Sequence, residues 1–185
     1  FGAYYGGSSK RSMKNLDLTN KRKNAWGTGL IFNHEIDSIQ NVTVAAGFTR
    51  EISENGNNTS LFRNAYGLGL AYNFVHTTYG LDLERQVTKN QGDKRTKNEV
   101  RAIVRQGLNE DWNVYAMYAY KTDKHSNNTD RTRQFMVGTE YYVFNQGSLK
   151  VKPFLEWQAT RTKYENSTVD RSRDFKTVIG LRAYW

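Results

Sequence analysis

Residues 65–74 read AYGLGLAYNF. Tyr66, Leu68, Leu70, Tyr72 and Phe74 alternate with Ala65, Gly67, Gly69, Ala71 and Asn73. Side chains two apart share a face in a β-strand, whereas a helix would scatter these five apolar residues around its circumference. The face opposite the apolar one is neither charged nor bulky but glycine and alanine. Glycine weakens a strand that faces bulk solvent and leaves nothing to pack. The stretch therefore demands an extended chain and raises the question of which side of the sheet is outside.

The same period runs through the whole chain. Residues 25–35, 41–50, 65–74, 78–87, 98–108, 111–121, 133–144, 149–160 and 174–185 each divide into an apolar face and a small or polar one. Residues 1–10, which begin FGAYYGG, supply one more, so that ten strands are expected; this opening also reads as a processed or trimmed start. Helical i, i+3, i+4 stripes are scarce. Short connections near 36–40, 75–77, 109–110 and 145–148 alternate with long polar ones at 9–24, 52–64, 88–97, 122–132 and 161–173. In an antiparallel meander all the long connections fall at one end, with the short turns and both termini at the other. No linker or composition shift divides residues 1–185, so a single domain is expected.

Two all-β architectures fit: a soluble sandwich or lipocalin-like barrel with the apolar face inward, and a transmembrane barrel with that face in lipid. Three features favour the second. The polar face is crowded with Gly, Ala, Asn and Gln among charges of both signs. Trp26, Tyr66, Phe74, Tyr79, Trp112, Tyr120, Tyr141, Trp157 and Trp185 gather near strand ends, as in interfacial aromatic girdles. Short connections alternate with long ones, which is the asymmetry of membrane barrels; against the soluble architecture, the strands run ten residues or more, the length a tilted membrane strand needs. Composition agrees: 37% hydrophobic residues and a mean hydropathy of −0.79 suit a large apolar core poorly, while 14% aromatics argue against disorder. The absence of cysteine excludes disulfides and thiolate metal sites. No apolar run approaches 18 residues, so no transmembrane helix is expected.

The chain resembles small Gram-negative outer-membrane β-barrels. The ending TVIGLRAYW, residues 177–185, is similar to the C-terminal signal of such proteins, with Trp185 where Phe is usual and Ala183 where Tyr is frequent. LNEDWNVYAMYAYK (108–121) and TRQFMVGTEYYVFNQGSLKVKPFLEW (132–157) resemble monomeric porins of the OmpG type and of the oligogalacturonate-specific (KdgM-like) family. That resemblance implies short periplasmic turns, long extracellular loops, residence in the bacterial outer membrane and contact with its lipid and lipopolysaccharide. It further implies insertion by the barrel-assembly machinery through the last strand, a monomer, and anionic uronate or sialate oligosaccharides as solutes. Those families have twelve or fourteen strands; twelve would follow here if a segment precedes Phe1.

Parity assigns Arg101, Arg105, Lys121, Lys152, Lys176 and Arg182 to the inner face, with Glu35, Asp82, Glu84, Glu99, Glu140 and Glu156, and with Tyr115 and Tyr142. Two roles are open. The charges could pair across strands, for instance Asp82 or Glu84 with Arg101 or Arg105. Alternatively the cations could form a track for an anionic solute, since guanidinium groups bind carboxylates bidentately. The net charge of +9 lies largely in the long connections: Lys10, Arg11, Lys14, Lys21, Arg22 and Lys23, then Lys89, Lys94, Arg95 and Lys97, then Arg131, Arg133, Arg161, Lys163, Arg171 and Arg173. These could funnel anions or touch lipopolysaccharide phosphates. No nucleic-acid module accompanies them. Of three histidines, His34 and His76 fall near short turns, and His125 sits beside Asp123 and Asp130. None has metal-ligand spacing, so neither an enzyme nor a bound metal or cofactor is expected. The expectation is a channel for small hydrophilic, anionic solutes; the alternative is a closed barrel acting as an adhesin, receptor or structural protein through its basic loops.

Overall fold

A computed structural model describes residues 2–4, 20–55, 60–90, 92–126, 128–146, 149–165 and 171–184. All of its regular structure is β. In chain order the strands are β1 (Gly2–Tyr4), β2 (Asn20–Asp37), β3 (Gln40–Asn55), β4 (Ser60–Phe74), β5 (Thr77–Asn90) and β6 (Asp93–Gly107), followed by β7 (Trp112–His125), β8 (Asn128–Tyr141), β9 (Phe144–Gln146), β10 (Leu149–Lys163) and β11 (Arg171–Tyr184). They form one antiparallel sheet in the order β1-β2-β3-β4-β5-β6-β7-β8-β10-β11, with β9 paired only to β10. Ten strands lie on this path, as the alternation predicts.

Register carries the alternation into space. Leu68 faces Leu83, and Leu70 faces Leu81. Leu81 in turn faces Ala102, and Tyr79 faces Val104. The apolar sets of neighbouring strands thus merge into one continuous face, and that face is exposed: Leu30, Leu68, Leu70, Val104, Leu155 and Ile179 all lie open. Among the described residues the buried hydrophobic side chain is Ala119, whereas Glu140, Lys152 and Glu156 are 3%, 5% and 8% exposed. A water-soluble sheet shows the reverse. The pattern is that of a barrel whose hydrocarbon-facing side points outward and whose polar side is enclosed.

The short-turn end is closed by local side-chain chemistry. Asp37 Oδ1 accepts from the Ile39 amide at 2.9 Å, and its Oδ2 accepts from Gln40 Nε2 at 2.8 Å. Asn109 Oδ1 accepts from the amides of Asp111 and Trp112 at 3.0 and 2.8 Å, which turns the chain from β6 into β7. These are Asx-type turns, in which the side chain replaces a missing backbone partner.

Three expectations need adjustment. First, the long connections are mostly ladder. β5 and β6 stay paired out to Asn90 and Asp93, with Gly92 at φ 94° in the turn. β7 and β8 stay paired to His125 and Asn128, and β10 and β11 to Lys163 and Arg171. Alternation of hydropathy ends where lipid ends, but backbone pairing does not. Second, the strand expected over 133–144 breaks after Tyr141. The Tyr142 amide donates to Asp111 O at 2.8 Å, and residues 144–146 form the separate β9. Third, of the strand expected over 1–10, Gly2–Tyr4 pairs with Gly29–Ile31; the remainder, like Trp185, lies outside the described residues.

Candidate functional site

The inner face is built by parity and register together. Arg105 on β6 lies opposite Tyr115 on β7, Tyr115 opposite Gly138 on β8, and Gly138 opposite Glu156 on β10. On the same face Glu140 lies two residues nearer the short-turn end than Gly138, and Arg182, opposite Lys152, lies four nearer than the residue opposite Glu156. Strand curvature brings these side chains into one cluster. Lys152 Nζ donates to Glu140 Oε1 at 2.9 Å, Arg182 Nη1 donates to Glu140 Oε2 at 3.0 Å, and Arg105 Nη2 also donates to Glu140. Arg182 Nη2 reaches Glu156 Oε1 at 2.7 Å, and the Tyr115 hydroxyl donates to the same oxygen at 2.6 Å. Lys152 lies 3.5 Å from the Tyr142 hydroxyl.

Aromatic rings on glycine complete this wall. A Cβ at Gly138 would lie 2.5 Å from Tyr115 Cζ, and one at Gly180 would lie 2.5 Å from two Phe154 ring atoms. Each ring rests directly on a bare backbone, and the Arg182 guanidinium carbon sits 4.1 Å from the Phe154 ring centroid. Stacking and ion pairing therefore hold the same arginine.

A second set lies further along the barrel. Arg101 is 2.7 Å from Glu99 and 3.7 Å from Asp82, and Lys121 is 3.2 Å from Glu99. Beside it a groove of about 590 Å³ runs along the inner face of β2–β5, floored by Gly27, Gly29, Ala45, Gly47, Gly67 and Gly69 and edged by Asp82, Glu84, Glu99 and Arg101. At the outer end, beyond the apolar band, Arg95 clamps Asp123 with bonds of 2.7 and 2.6 Å. The Arg95 hydrogen bond holds the Asp123 carboxyl below its usual range, against the opposing effect of burial.

The inverted faces and the enclosed ion pairs mark the architecture, and comparison with known structures agrees. By structure the chain is similar to the outer-membrane expressed OmpT of Vibrio cholerae, with a TM-score of 0.61 and 12% sequence identity, over 89% of this chain and 57% of that one. The fold is that of an outer-membrane β-barrel. The chain spans 57% of the length of that structure. No protein-family model matches the sequence, and no curated protein matches it.

Within this barrel, Arg105, Lys152, Arg182, Glu140, Glu156, Tyr115 and Tyr142 come together in the first cluster, and Arg101, Lys121 and Asp82 in the second. Of the pairs expected between Asp82 or Glu84 and Arg101 or Arg105, Arg101 with Asp82 is present at 3.7 Å; Arg105 pairs instead with Glu140, which projects into the same enclosed layer from two strands away. Glu84 edges the groove. Glu84 and Lys176 make no ion pair with another described residue. Sequence reasoning missed the roles of Gly138, Gly180 and Phe154; the signal was an inner glycine placed across from an inner aromatic. His34 is exposed on β2, His76 lies in the β4–β5 turn, and His125 ends β7 opposite Asn128. Among the described residues no three His, Cys, Asp or Glu side chains gather as a metal site.

Proposed function

We propose that the protein is an outer-membrane channel that lets small hydrophilic solutes diffuse along the groove beside β2–β5. The observation that carries this reading is the groove itself: a strip of glycine and alanine inner positions, about 590 Å³ in volume, against a wall of charged side chains. An interior braced everywhere would carry bulky groups on all its strands, as eight-stranded barrels do. Here the bulk is confined to one side.

The pairings favour weak charge selectivity over the expected track for anionic oligosaccharides. Arg105, Lys152 and Arg182 are taken up by Glu140 and Glu156. Along the groove Asp82, Glu84 and Glu99 face Arg101 and Lys121, three carboxylates against two cations. A solute there meets both signs within a few ångströms. No group in this reading performs chemistry on the solute.

The test is conductance across a planar bilayer with the purified chain. Stable single-channel openings are expected, with a reversal potential near zero in a salt gradient. Absence of current above leak would refute the channel and favour a closed barrel acting through its outer hairpins. A strong anion preference would restore the basic track.

A further inference from the structure

The inner clusters pair their cations with carboxylates; the outer face gathers cations against cations most densely on β8, β10 and β11. On β10, Arg161 lies directly between Arg133 of β8 and Arg173 of β11. Two residues further out, Lys163 lies directly between Arg131 and Arg171. All six are exposed, and by parity all six share the outward face with Phe135, Trp157 and Phe175. With strands about 4.8 Å apart, the six anchor points fit within roughly 10 Å by 7 Å. None makes an ion pair with a carboxylate among the described residues.

Like charges directly opposite one another destabilise a sheet. Four such contacts in one patch call for a counter-anion from outside the chain. The position of the patch identifies its source. Arg133 and Arg173 stand two residues beyond Phe135 and Phe175, and Arg161 four beyond Trp157, so the first row caps the apolar band where hydrocarbon gives way to headgroups. Trp157 and Phe175 are stacked at 6.0 Å just below. A shallow groove of about 200 Å³ is lined by Tyr118, Arg133, Phe135, Arg161, Arg173 and Phe175. It offers apolar walls to an acyl chain and guanidinium groups to the charged end of the same molecule.

We propose that the outward face of β8, β10 and β11 is a docking site for a phosphorylated lipid of the outer leaflet, its phosphates held by Arg133, Arg161 and Arg173 and its chains lying on Phe135, Trp157 and Phe175. Planar guanidinium groups bind phosphate bidentately, and clustered cations at a membrane surface select anionic headgroups. The proposal rests on the membrane reading of the fold and not on conduction; a barrel that fails to conduct would still bind the lipid.

The experiment titrates the full chain, folded in zwitterionic detergent, with bisphosphorylated lipid A, dephosphorylated lipid A and inorganic pyrophosphate, read by native mass spectrometry. Bisphosphorylated lipid A should bind, and the combined Arg133→Gln, Arg161→Gln and Arg173→Gln variant should bind it about a hundredfold more weakly. The corresponding triple Lys variant keeps the charge but not the bidentate fork and should bind with an affinity between those of the native chain and the triple Gln variant. Arg85→Gln, which removes a lone outward cation opposite Asn98, should change nothing. If the triple variant does not fold, Arg161→Gln alone, at the centre of the first row, should weaken binding about fivefold. Equal binding by the Gln variants, or by dephosphorylated lipid A, overturns the proposal. Pyrophosphate that binds as tightly as lipid A overturns the lipid in favour of a simple phosphate site.

Discussion

The inner faces of β2–β4 and of β7–β11 obey the same period of two and reach opposite ends. On the first, the inward positions are largely glycine and alanine, and a Cβ added at Gly67 would meet nothing within 4 Å. On the second, glycine is rarer and is covered: Tyr115 lies on Gly138 and Phe154 on Gly180. Glycine makes room in both places. At Gly67 the room is left open, whereas at Gly138 and Gly180 an aromatic ring fills it and presents its hydroxyl, or its face, to an ion-pair cluster. One wall braces the barrel and the other stays open, so under the proposed channel function bracing and passage fall to different strands.

The braced wall should be the more fragile. Glu140 serves three cations, and Glu140→Gln leaves them around a neutral group in an enclosed layer. Loss of one partner from a buried charge pair costs about 3–5 kcal/mol, and the partial exposure of Arg105 and Arg182 places this change near about 3. Urea unfolding of the refolded barrel should show it as a lower midpoint, and an unchanged midpoint would mean that the cluster is not structural.

The two kinds of glycine give the sharper contrast. Gly138→Ala should displace the Tyr115 ring and its bond to Glu156, at a cost of about 1–3 kcal/mol. Gly67→Ala should change stability by less than about 0.5 kcal/mol. Equal effects in the same urea series would erase the distinction between the walls.

Gly67→Trp addresses function rather than stability. Its side chain would project into the groove, so single-channel conductance should drop several-fold while the folded fraction on semi-native gels stays unchanged. Full conductance would move the passage elsewhere.

A smaller effect concerns Arg101, at the boundary between the walls. Arg101→Gln leaves Asp82 and Glu99 less compensated and should shift the reversal potential toward cation preference. An unmoved potential would mean that ions do not pass this residue.

The smallest effect lies beyond the membrane. The folded-state pKa of Asp123 is depressed by Arg95, so its contribution to the outer hairpin is complete above the ordinary value of 3.8 and is lost as pH falls through the lowered one. Hydrogen exchange of the β6–β7 ladder around Arg95 and Asp123 should quicken across that acid range in the native chain. In Asp123→Asn it should already be quicker and should not change there.

How much of this was legible depended on whether the information was local. Outward Leu68, Leu70, Leu81 and Leu83 could be read directly, because lipid imposes one rule on every strand it touches. The outer ladders at 88–97 and 122–132 could not, because outside lipid neither face need be apolar and the hydropathy signal disappears while backbone pairing continues. Parity put Tyr115, Glu140, Lys152, Glu156 and Arg182 on one face, where the structure brings them into one cluster, but gave no partner for any of them.

Sequence alone therefore determined which side of each strand meets lipid, since that is a property of alternate residues in a single strand. The tertiary structure decided the rest: that Arg105 passes over β7 to reach Glu140, that Tyr115 covers Gly138 while Gly67 stays open, and that six outward cations fall into two rows. Each of these follows from the register of two or more ladders summed across the curved sheet. A slip of two residues in any one of them would preserve every alternation and change every partner.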